Sequence, residues 1–103
     1  MDEQERKINE IQILEQNLQN LLLQKQAFQM EISETSTAKR EIEKAGDEVF
    51  KIIGQLMIKS DKSKIKDELS NKERLLDLRI KALEKQESVL LEKIESLKEE
   101  ILK

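Results

Sequence analysis

At 103 residues the chain has room for one small domain, and its composition excludes much chemistry: 40% of residues are charged, 2% are aromatic, and Pro, Cys, Trp, Tyr and His are absent. Without Cys there is no disulfide, thiolate nucleophile or thiolate ligand; without His the commonest metal ligand and general base is missing. A net charge of −3 leaves no basic stripe of the kind that nucleic acid requires.

Leu, Ile, Val and Phe together number 31, too many for a disordered chain of such small net charge. The composition is that of a long helix or coiled coil. No apolar run reaches the ~18–20 residues of a membrane span. Met1, Asp2 and Glu3 lack the basic start of a signal peptide, so a cytoplasmic protein with no membrane association is expected.

The first predicted element is a helix over about 5–45. Ile11, Leu18, Lys25, Ile32 and Lys39 fall at heptad position a; Leu14, Leu21, Phe28, Thr35 and Ile42 fall at d. Seven of these ten are apolar, the mark of a seam of period 3.5. Ile8, Ile13, Leu22 and Leu23 lie beside the seam and are expected to widen it. Ser33 to Thr37 is a weaker helical stretch, because short hydroxyl side chains compete for backbone groups, but the heptad resumes in phase at Ile42. Gly46 is placed to end the helix as a residue of positive φ.

Val49 to Lys59 is dense in β-branched and large apolar residues, interrupted at Gly54-Gln55. Glycine at the first central position suits a two-residue type II′ turn, so a β-hairpin is expected over about 48–60. Ile53 then faces Leu56, and Ile52 faces Met57. One face carries Val49, Ile53, Leu56 and Ile58; the other carries Phe50, Ile52 and Met57. A lone hairpin is marginal in water, and this one has two apolar faces and two unpaired edges. One face can rest on the helices. The rest calls for strands from other chains, and an obligate oligomer built through this hairpin follows.

A second helix is predicted over about 63–103, capped by Asp61 or Ser63. Leu69, Leu76, Leu83, Leu90 and Leu97 occupy d; Glu73, Ile80, Glu87, Ile94 and Ile101 occupy a. The two helices, each ~60 Å long at ~1.5 Å per residue, should fold back as an antiparallel pair with both chain termini at one tip. This pairing sets Ile42 near Ile65, Ile32 near Leu76, Leu18 near Leu90 and Ile11 near Leu97, with Thr35 opposite Glu73. The polar seam residues are expected to fix register at some cost in stability. Replacing Lys25, Glu73 and Glu87 with Leu should therefore raise the melting temperature. The fold class is mainly α: a long antiparallel coiled-coil hairpin with one central β-hairpin, in a single domain over 1–103. Ser70-x-x-Glu73 has the spacing of a capping box but lies inside a heptad run. Paired carboxylates such as Glu99-Glu100 sit on exposed faces without the burial that tunes a general acid, there is no phosphate-binding glycine loop, and no enzymatic activity or cofactor is expected.

Two heptad arms around a central hairpin, on about 100 residues, resemble the prefoldin family, and the single hairpin resembles its beta class. The resemblance is carried by Val49 to Lys59, by Leu78 to Glu87 and by Leu22-Leu23-Gln24-Lys25-Gln26. The length, the lack of Cys and the Glu/Lys/Ile richness resemble archaeal members. The resemblance implies a hexamer of two alpha and four beta subunits, whose hairpins build an intersubunit β-barrel platform bearing coiled-coil arms. It further implies an ATP-independent chaperone that holds non-native proteins at the arm tips and passes them to a group II chaperonin. Val49, Phe50, Ile52, Ile53, Gly54, Leu56, Met57 and Ile58 would form the oligomerisation hairpin. Ile8, Ile11, Ile13, Leu14, Leu97, Ile101 and Leu102 would be the client-binding tips, exposed by fraying of helix ends. Ile11, Leu14 and Leu97 are seam positions, where coiled-coil core competes with that role. The acidic residues Asp2, Glu3, Glu5, Glu99 and Glu100 read as a solvated end or as a contact for a basic chaperonin surface. A structural or adaptor coiled coil without chaperone activity would explain the heptads equally well, but not a two-faced apolar hairpin at the midpoint.

Overall fold

The computed structural model describes residues 2–103; Met1, the first residue of the expected single domain, lies outside them. The chain runs α1 (Glu3–Lys44), β1 (Glu48–Ile53), β2 (Leu56–Asp61) and α2 (Lys62–Leu102). It divides into two compact units, 2–28 with 79–103 and 29–78.

The first unit opens on the start of α1. The Asp2 carboxylate accepts the backbone N–H of Glu5 at 2.7 Å, and the Asp2 carbonyl accepts that of Arg6. This cap starts the helix two residues before the expected position, and Glu3 and Glu5 in the first turn suit the positive end of the helix dipole. The core of this unit is Ile11, Leu21, Ile80, Leu83 and Ile94, each an a or d position. Leu14, Leu18, Phe28, Leu90, Leu97 and Ile101 are half-buried beside them. Ile8, Ile13, Leu22 and Leu23 do not widen this seam; all four are exposed. A pair of helices buries only a and d, and these residues stand at c, e and f. Arg79 lies 5.7 Å over the Phe28 ring, a cation–π contact that covers a seam aromatic with a charged head.

In the second unit, α1 continues unbroken through Ser33–Thr37. The hydroxyls of Thr35 and Thr37 donate to the carbonyls of Glu31 (2.7 Å) and Ser33 (3.0 Å) one turn back, which satisfies them without breaking the helix. Thr35 and Leu76 are buried on the seam. Glu73 does not bond Thr35. It accepts from Ser36 at 3.4 Å and lies 3.7 Å from Lys39.

Helix α1 ends differently from expectation. Among the described residues only Gly54 has a positive φ, so Gly46 forms no left-handed cap. Instead the N–H of Ala45 closes a tight last turn onto Ile42, and Lys62 donates to the carbonyls of Glu43 (3.4 Å) and Ala45 (2.8 Å). A cation thus satisfies orphan carbonyls at the negative end of the dipole. Helix α2 begins at Lys62 because the Asp61 carboxylate accepts the N–H of Ser63 at 3.1 Å, leaving Ser63 inside the helix.

The two strands pair antiparallel, from Glu48 with Asp61 to Ile53 with Leu56. Gly54 has φ +60°, and Gln55 does not share a positive φ, which selects the type II′ turn over I′.

Candidate interaction surfaces

The hairpin places its side chains by strand alternation. Val49, Lys51, Ile53, Leu56 and Ile58 share one face; Phe50, Ile52, Met57 and Lys59 share the other. Val49 is buried, whereas Phe50, Ile52, Ile53, Leu56, Met57 and Ile58 are 45–69% exposed. The expectation that one face rests on the helices holds only for the end beside the helix termini. There Lys51 reaches Glu68 of α2 at 3.0 Å. An open apolar groove of about 590 Å³ runs between the hairpin and the helices, lined by Ile42, Val49, Phe50, Ile52, Ile65 and Leu69 among others. The sheet has two strands, so each keeps one unpaired edge. A two-stranded sheet with apolar residues on both faces and free edges is marginal in water unless something covers it.

Beneath the hairpin, Lys66 bonds Glu43 at 2.7 Å. That hydrogen bond, and the positive charge behind it, hold the Glu43 carboxyl below the usual carboxylate range. Together with Lys62 it ties the start of α2 to the end of α1 and fixes where the strands depart. Neither lysine stands out in the sequence: one heptad before Leu69 and Glu73 they fall at d and a, but as charged residues ahead of the apolar run they read as breaks in the seam.

The second surface is the end of the first unit where the start of α1 lies beside the end of α2. Ile8, Ile13 and Leu102 are exposed there, Leu102 at 85%. Leu14, Leu97 and Ile101 are half-buried, and Ile11 is buried. The acidic residues around them are partly engaged: Lys7 lies 3.8 Å from Glu3 and 3.3 Å from Glu100, a strap between the first turns of α1 and the last turns of α2. Farther along the unit, Lys25 and Glu87, both seam positions, pair at 3.2 Å. Among the described residues no group of His, Cys, Asp or Glu is arranged to hold a metal ion, and no helix is long and apolar enough to cross a membrane.

Comparison with known proteins gives a consistent result. The family model described as "Prefoldin subunit" matches residues 5–103. A prefoldin subunit beta of Thermococcus onnurineus is 38% identical over 91% of this chain and 83% of its own length. That of Pyrobaculum calidifontis is 40% identical over 84% of this chain and 70% of its own. The crystal structure of the prefoldin beta subunit from Thermococcus strain KS-1 superposes with a TM-score of 0.91 at 35% identity, covering 98% of this chain and 90% of that one.

Proposed function

The chain belongs to the prefoldin subunit family, and from that premise we propose that it is a beta-type subunit of an ATP-independent holdase. The whole of 1–103 acts as one prefoldin-type domain. The hairpin residues Val49 to Ile58 join those of other subunits, two alpha and four beta, in a β-barrel platform. Ile8, Ile13 and Leu102, with the half-buried Leu14, Leu97 and Ile101 and the seam residue Ile11, contact non-native protein as the helix ends open. The client is then passed to a group II chaperonin. The complex works in the cytoplasm and uses no nucleotide or other cofactor.

The observation that carries this reading is the exposed hairpin. Six large apolar side chains on two faces of a two-stranded sheet have no role in a simple coiled-coil adaptor. Holding requires little of each arm: a fully buried aliphatic contributes about 1.5–3 kcal/mol, and several arms acting together supply avidity through effective concentration. Weak, multiple contacts also allow release.

Native mass spectrometry of the chain mixed with an alpha-class partner tests the assembly, with four copies of this chain and two of the partner expected. A stable dimer that ignores the partner would return the chain to the adaptor reading. Deleting residues 1–10 and 97–103 should then weaken suppression of client aggregation while leaving the stoichiometry of four to two unchanged. Undiminished suppression would remove the helix ends from the mechanism.

A further inference from the structure

From Gln16 to Phe28 the only charged residue is Lys25, in a chain where 40% of residues carry charge. That lysine turns into the seam onto Glu87, so the outward surface of this stretch has no charge of its own. It presents amides instead. Asn17, Asn20 and Gln24 line one side of a groove of about 600 Å³, and Gln86 and Val89 of α2 line the other, with Lys85 the one charge on its wall. Gln16 and Asn20 bond each other weakly, at 3.4 Å. The side chains of Asn17, Gln24 and Gln86 have no partner among the described residues. Val89, 49% exposed, lines the groove, and Leu23, 64% exposed, lies outside its lining, one helical turn from Asn20. Ile13, one turn before Asn17, continues the same helix face toward the chain-terminal end.

We infer that this charge-free groove is a second, lateral contact for an extended, uncharged, aliphatic segment of a non-native polypeptide. The inference rests on the holding function proposed above and names the chemistry that function selects. Each free amide offers both donors and an acceptor, which matches an unfolded backbone whose N–H and C=O groups lack partners. A folded protein has its buried backbone groups already paired and rarely exposes a long contiguous apolar segment. An uncharged wall lets aliphatic side chains seat on Leu23 and Val89 without stripping water from an ion. A charged segment would lose hydration here and find no counter-charge except Lys85.

The test uses the assembled complex and a fluorescein-labelled peptide of Val, Ala, Thr and Asn, titrated by anisotropy. Leu23→Glu with Val89→Glu should weaken binding about tenfold, the effect of roughly one lost aliphatic contact. The neutral Leu23→Gln with Val89→Gln, a milder change at two exposed sites, should weaken it less. Leu91→Glu, on the opposite side of α2, should leave it unchanged. Helical circular dichroism and native mass should match wild type in all three. Wild-type affinity in the Glu pair would overturn the lateral site while leaving the holding function in place. A changed assembly mass in that pair would make the groove a contact between subunits and overturn it as well. A wild-type complex that ignores the peptide would overturn both.

Discussion

Gly54 occupies a backbone conformation, φ +60°, that side chains with a Cβ rarely adopt. The space around it is open, so the cost of Gly54→Ala is conformational, about 1–2 kcal/mol. That cost should appear as weaker complex formation with an alpha-class partner, while the helical circular dichroism of the chain is preserved. This glycine is legible in the sequence because it interrupts an apolar run at a turn position. Gly46 is not: its neighbours suggest a left-handed cap, but Lys62 had already satisfied the carbonyls that such a cap would serve. Glu43 gives a second prediction at this scale. Its folded pKa is lowered, first by the Lys66 hydrogen bond and then by the Lys66 charge. The interaction is therefore fully present above the ordinary carboxylate pKa and fades as pH falls through the lowered folded value. In Lys66→Met, the Glu43 carboxyl followed by NMR should titrate higher, back toward the ordinary range; an unmoved midpoint would exclude Lys66 as the cause.

Among the elements, the two helices are legible because every buried helical residue lies at a or d, the pattern that a two-helix seam imposes. The hairpin is legible because β-branched residues flank a glycine turn. What the heptads do not reveal is who pairs with whom. Lys25 and Glu87 read separately as polar breaks in two seams; in the structure they are one ion pair, 21% and 24% exposed. Glu73 likewise pairs with Lys39, so its replacement has to include that lysine. Lys25→Met alone leaves Glu87 partly buried without its cation. The expected loss is about 1–2 kcal/mol, between the values for exposed and fully buried pairs. Replacing both residues with Leu removes the desolvation cost and should raise stability by about 1 kcal/mol, or roughly 4–8 °C in melting temperature. A double variant that melts below wild type would show that the pair contributes net stability rather than register alone.

For the molecule as a whole, the decisive fact is that its most apolar segment is also among its most exposed. Residues 50–58 contribute six exposed large hydrophobic side chains, a surface that a stable monomer would cover. In the assembly proposed above, folding and association are coupled: a subunit that covers the hairpin binds the native state and not the unfolded chain, and stabilises it by mass action. The melting midpoint of the chain, followed by circular dichroism, should rise with protein concentration, on the order of a few degrees per tenfold, and rise further when an alpha-class partner is added. Ile52→Lys with Met57→Lys places two cations on one face of the sheet, and both sites are more than half exposed in the isolated chain. That variant should keep its helices and lose the dependence on concentration and on the partner. A wild-type midpoint independent of both would mean that the hairpin is stable uncovered, and the physical reason for assembling through it would be gone.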